Sequence, residues 1–169
     1  MSSRDDFETP MDRRNSGSRK WDAAPGELPM TTADMDFRAV PEIAAALADR
    51  VRAGDYGYER VTDEFYDAVA GWCESQHGWT PDRGWLLFCQ GVVPAIASIV
   101  RSLSNPGDGV AMMTPVYNAY FRAVEDNGRT RRHTIDWEKP ERALSGQRTS
   151  LMILCNPHNP IGETGAPTS

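Results

Sequence analysis

Residues 151–162 read Leu-Met-Ile-Leu-Cys-Asn-Pro-His-Asn-Pro-Ile-Gly. The run Leu151 to Cys155 has no polar break, the pattern of a strand buried on both faces of a parallel sheet. Asn156-Pro157 stops it. Pro157 and Pro160 each fix φ and remove a backbone donor, and Gly162 permits a backbone conformation that other residues resist. The expected product is a stiff polar loop at the carboxyl end of a strand, where open α/β sheets bind ligands. Asn156 brings a carboxamide, two donors and an acceptor, to that place. One Asn-Pro alone reads as an ordinary turn. Asn-Pro-His-Asn-Pro-x-Gly behind an apolar strand is far more specific.

Working back from that loop, three further strands are expected. Trp85 to Cys89 is a short apolar run. Gln90-Gly91 then turns into an apolar helix that opens at Val92-Val93-Pro94 and runs through Leu103. Free amides at a helix start attract anions, phosphate above all, although the same junction also serves as a plain strand-to-helix connection. It matches neither the Walker pattern nor Gly-x-Gly-x-x-Gly. Val110 to Met113 is the next apolar run, ending at Thr114-Pro115. Tyr117, Tyr120, Phe121 and Val124 follow at helical spacing, and Gly128 ends that helix. Tyr120 and Phe121 read as core, whereas Tyr117 sits at the first turn beside the strand's carboxyl end. Arg131 to Ile135 is an expected edge strand, and Asp136 to Ser150 a polar loop.

Earlier in the chain, residues 1–26 are polar, with Lys20-Trp21-Asp22 as the marked spot. Leu28 to Phe37 is an extended lead-in in which Asp34 and Asp36 read equally as turn formers or binding groups. Pro41 opens a helix with Ile43, Leu47 and Val51 on one face, closed by Gly54. Tyr56-Gly57-Tyr58 lies in a loop. Thr62 caps a second helix bearing Phe65, Val69 and Trp72, closed at His77-Gly78. Strands alternate with helices, so the class is α/β with a mainly parallel sheet.

Composition narrows the function. The chain has 169 residues, a net charge of −6 and a pI near 5.0, which argues against nucleic acid or an anionic membrane as partner. No metal spacing appears. Cys73, Cys89 and Cys155 are odd in number and scattered, as expected of free thiols in a reducing cytoplasm. Lys20 and Lys139 are the chain's two lysines.

Lys20-Trp21-Asp22, Ala33 to Phe37, Gly57-Tyr58, Gly91-Val92-Val93, Thr114 to Tyr117 and Cys155 to Gly162 together resemble the fold-type-I pyridoxal-phosphate enzymes of aminotransferase class I/II. Within that family the chain looks most like the cystathionine β-lyase (carbon–sulfur lyase) branch. The resemblance implies an N-terminal segment over 1–40 and an incomplete large domain of the aspartate aminotransferase-like fold over 41–162, with helices 41–77 leading in. Residues 163–169 form a tail outside the family pattern. It implies pyridoxal 5'-phosphate as cofactor, a sulfur amino acid as substrate and a cytoplasmic homodimer. The amides of Val92 and Val93 would hold the phosphate. Tyr117 would stack on the pyridine ring, and Asn156 would hydrogen-bond its phenolic oxygen. Tyr58 would reach the phosphate in the neighbouring subunit, and Asp36 would lie near the substrate carboxylate. His158 takes no role from the family and reads as a loop-stabilising histidine.

One departure matters. The family's Schiff-base lysine, the aspartate for the pyridine nitrogen and the arginine for the substrate carboxylate have no counterpart here. The chain reads as a truncated or frameshifted product, expected to be inactive and to fold poorly for want of strands beside Trp85–Cys89. The alternatives are an aminotransferase of the same family or a non-catalytic cofactor-binding or interaction fragment.

Overall fold

The computed structural model describes residues 7–134 and 148–162. The chain forms two compact units, Met1–Arg60 and Val61–Ser169.

In the first unit, Pro at the start and a left-handed Gly54 at the end delimit α1, Pro41–Ala53. Its apolar stripe is exposed: Ile43, Leu47 and Val51 all face outward. The lead-in segment is organised by polar bonds instead. Lys20 Nζ donates to Asp34 O at 2.7 Å and to Asp36 Oδ2 at 2.8 Å. Trp21 Nε1 donates to Asp36 Oδ1 at 2.8 Å, and the Arg14 guanidinium lies 5.2 Å from the Trp21 ring centroid. Trp21 therefore finds its packing partner in a cation, and Asp36 ties two distant motifs together.

In the second unit, α2 spans Asp63–His77 and stops at a left-handed Gly78. A single 3-10 turn, Arg83–Trp85, follows. Helix α3, Val92–Leu103, leads through the Asn105–Asp108 turn into β1, Gly109–Met113. Helix α4, Ala119–Glu125, leads into β2, Thr130–Thr134, and β3 is Thr149–Ile153. The three strands form an all-parallel sheet in the order β2-β1-β3. This is the expected α/β architecture of a parallel sheet with flanking helices. The central strand is buried along its whole length. Val110 and Met112 of β1 join Val100 of α3, Val116 of the loop before α4 and Val124 of α4 in one core, against which Leu151, Ile153, Ile96, Tyr120 and Phe121 pack. Both helices therefore cover the same face of the sheet. Among the described residues no helix is long and apolar enough to cross a membrane.

Four expectations are corrected. Trp85–Cys89 is not a strand: after the 3-10 turn it runs extended and largely exposed, with Leu87 89% and Phe88 50% exposed. An apolar run becomes a strand only where another chain segment completes its ladder, and among the described residues none does. Second, β3 is not buried on both faces. It is the sheet edge, its burial alternates, and Met152 and Leu154 face outward. Third, the stripes of α1 and α2 are amphipathic in spacing, yet neither helix holds a buried residue. Fourth, α4 starts at Ala119 and ends at Glu125. Tyr117 thus precedes the helix, joined to it by the Tyr120 amide bonding to its carbonyl at 3.1 Å. Gly128, with φ of 73°, closes the exit turn instead of the helix itself. Ile135, Lys139, most of the 136–150 loop and the tail at 163–169 lie outside the described residues.

Candidate functional site

Parallel strands send all their carboxyl ends to one edge of the sheet. Met112 of β1 pairs in register with Ile153 of β3, so the loops after these two strands, 114–118 and 154–162, leave side by side. The chain passes from β1 outward to β2 and returns across β1 to β3. The carboxyl ends of β1 and β3 therefore flank the point where strand order reverses, the crevice that α/β sheets use for ligands.

Three contacts tie the 154–162 loop, the 114–118 loop and α4 together. His158, 2% exposed, places Nε2 2.8 Å from the carbonyl oxygen of Pro115. The Tyr120 hydroxyl donates to Cys155 Sγ at 3.9 Å. The Tyr120 ring meets the Tyr117 ring edge-to-face, with centroids 5.7 Å apart and planes at 84°. Cys155 Sγ also accepts the Asn159 amide at 3.4 Å. Burial first, and the neighbouring Cys155 thiol second, push the Tyr120 phenol above its ordinary pKa, so Tyr120 stays a neutral donor. From this frame Tyr117, 43% exposed, and Asn156 reach outward.

Helix α3 completes the edge. Its last turn lies at the amino end of the strands: Arg129, just before β2, donates to the carbonyls of Arg101 and Ser104. With Ile96 and Val100 against the sheet, its 12 residues run back about 18 Å, roughly a strand's length. The start at Gly91–Val93 therefore sits at the carboxyl edge with Tyr117 and Asn156. Gly91 adopts φ 150° and ψ 167°, a backbone region that residues with a Cβ resist. No side chain caps this start. Pro94 has no N–H, and Ala95 N already bonds Gly91 O at 3.2 Å. The donors left at the helix start are the amides of Val92 and Val93, aligned with the positive end of the helix dipole. Beside them an apolar cavity of about 330 Å³ is lined by Phe65, Val69, Leu87, Phe88 and Val92, among others.

Three of the sequence-predicted positions, Val92–Val93, Tyr117 and Asn156, thus share one edge. Tyr58 and Asp36 belong to the first unit. Tyr58 is fully exposed. Both carboxylate oxygens of Asp36 are engaged, one by Lys20 and one by Trp21, which hold its carboxyl below the usual carboxylate range, Lys20 contributing most. Lys20 is buried and held by Asp34 and Asp36, so its ammonium serves this cluster. Sequence spacing gave no sign of the Cys155–Tyr120 contact or of the His158–Pro115 bond, because each partner lies more than thirty positions away.

This edge offers two amides for an oxyanion, an aromatic face and a carboxamide. That donor set fits a phosphorylated aromatic ring bearing a hydroxyl oxygen. Residues 26–167 match the family model described as aminotransferase class I and II. The chain is 39% identical to the cystathionine beta-lyase PatB of Bacillus subtilis (strain 168), over 94% of this chain and 45% of that protein. It is 33% identical to the protein MalY of Escherichia coli (strain K12), with the same coverage of 94% and 45%. The crystal structure of cystalysin from Treponema denticola, which contains a pyridoxal 5'-phosphate cofactor, superposes with a TM-score of 0.85 at 30% identity. That match covers 98% of this chain and 46% of that one. The chain therefore spans just under half the length of these relatives.

Proposed function

This chain belongs to the aminotransferase class I and II family, and we propose that its sheet edge is part of the pyridoxal 5'-phosphate site of a carbon–sulfur lyase acting on cystathionine or a related thioether amino acid. The observation that carries the reading is the convergence of the α3 start, Tyr117 and Asn156 at the carboxyl ends of β1 and β3. On this reading residues 41–162 are part of the cofactor domain and 1–40 lead into it.

The amides of Val92 and Val93 bind the cofactor phosphate, using the helix dipole in place of a cationic side chain. Tyr117 stacks on the ring, and its edge contact with Tyr120 sets the ring's tilt. Asn156 donates to the ring oxygen, its stiff loop holding it against displacement by water. Tyr58, fully exposed, extends toward the phosphate of a second copy's site. Asp36 positions the Asp34–Phe37 segment near the substrate carboxylate. When bound, pyridoxal phosphate supplies the electron sink for carbanion chemistry at the substrate's α-carbon.

The described part of this chain binds and orients; its one described lysine, Lys20, is committed to Asp36. Calorimetric titration with pyridoxal 5'-phosphate tests the reading. Binding that is weakened by Tyr117→Ala and by Asn156→Ala is expected. Borohydride reduction followed by peptide mass mapping is expected to leave Lys20 and Lys139 unmodified. Absence of binding, or a reduced adduct on either lysine, would overturn the assignment of roles.

A further inference from the structure

We propose that His158 is a positioning residue that locks the Asn156 loop onto the Tyr117 loop, setting the ring-holding half of the site separately from its phosphate-holding half. The inference rests on the cofactor reading above and adds a residue to it.

His158 is 2% exposed, and its Nε2 lies 2.8 Å from the carbonyl oxygen of Pro115, 43 positions earlier. A carbonyl accepts only, so Nε2 carries the proton and donates. The same residue's own carbonyl receives the Gly162 amide at 2.5 Å, so His158 closes its loop through the main chain and ties it outward through the side chain. The positions are symmetric: His158 stands two residues after Asn156, and Pro115 two residues before Tyr117. The anchor is firm, because Val116, next to Pro115, is 7% exposed in the core. Pro157 and Pro160 remove most of the loop's internal freedom. What remains is the tilt of a stiff loop against its neighbour, and the buried His158–Pro115 bond directly between the two sets that tilt. The α3 start takes no part in this bond.

The test compares His158→Gln with His158→Asn. A glutamine amide reaches the position of Nε2, whereas asparagine is one methylene short and leaves the Pro115 carbonyl without this donor. Each variant of the full chain is titrated with pyridoxal 5'-phosphate and, separately, with inorganic phosphate. Amide hydrogen exchange over 156–162 is followed without ligand. The Asn variant is expected to bind pyridoxal phosphate about tenfold more weakly, the effect of one typical buried hydrogen bond on the competent population. Its affinity for inorganic phosphate should match the parent's, and its 156–162 amides should exchange faster. The Gln variant should resemble the parent in all three. Equal behaviour of the two variants in exchange and in pyridoxal phosphate binding overturns the proposal. If the parent itself fails to bind pyridoxal phosphate, the cofactor reading falls, and exchange alone decides the role of His158. If the Asn variant does not fold, a folded Gln variant with unprotected 156–162 amides overturns the proposal, and one with protected amides supports it.

Discussion

Replacing Val92 by proline removes one hydrogen-bond donor from the α3 start while leaving the helix intact. The structure makes this substitution unusually clean. Val92 is the first helical residue, where proline's fixed φ suits the helix and its missing N–H was not part of the helical ladder. The preceding Gly91, at φ 150° and ψ 167°, lies outside the α region, so the proline ring escapes the clash that an α-conformation before proline creates. The Val92 side chain is 67% exposed, so little packing is lost. Because Pro94 lacks an N–H and the Ala95 amide is already bonded to Gly91, the start presents the amides of Val92 and Val93, and the variant keeps one of them. A hydrogen bond to a charged acceptor is worth about 1.5–3 kcal/mol. Binding of inorganic phosphate and of pyridoxal 5'-phosphate should therefore weaken by roughly ten- to hundredfold. Calorimetric titration reads the affinity, and far-ultraviolet circular dichroism checks the helix. Unchanged affinity for both ligands with the helix intact would refute the assignment of the phosphate to this helix start.

Three other outcomes follow from the fold. Met112, fully buried in the central strand, should cost about 2–5 kcal/mol when cut to alanine; a loss below about 1 kcal/mol in urea unfolding would contradict its place in the core. The Asp36 carboxyl is held below its ordinary range, by Lys20 first and Trp21 second, so its contribution to stability is complete above the ordinary carboxylate pKa and disappears as pH falls through the lower folded value. Trp21 fluorescence should report that acid-side change, Asp36→Asn should abolish it, and an unaltered transition in the variant would exclude Asp36 as its origin. Leu87, 89% exposed in an extended apolar segment, offers an edge for self-association. Leu87→Lys should lower light scattering without shifting the melting temperature, and unchanged scattering would count against that edge.

Much of the frame was legible in local chemistry. Pro41 and Gly54 bracket α1, Thr62 and Gly78 bracket α2, and Gly91-Val92-Val93-Pro94 opens α3. Each of these signals acts within one turn of the chain, so neighbouring residues suffice to reveal it. The spacing of motifs ending in Asn156-Pro157 pointed to the same sheet edge, because strands that alternate with helices return their carboxyl ends to one side. Trp85–Cys89 misled for the opposite reason. Its composition is that of a strand, but a ladder requires a second segment, and composition carries no record of whether one arrives.

By itself, then, the sequence determined the order of the four helices and the three paired strands and the α/β class, since periodicity, proline and glycine act locally. Only the tertiary structure decided that β3 is an edge with one open face, that Lys20 and Trp21 share the carboxylate of Asp36, and that His158 reaches Pro115. Those pairings join residues 15 to 43 positions apart, and which distant segments become neighbours is settled by the packing of the core around β1.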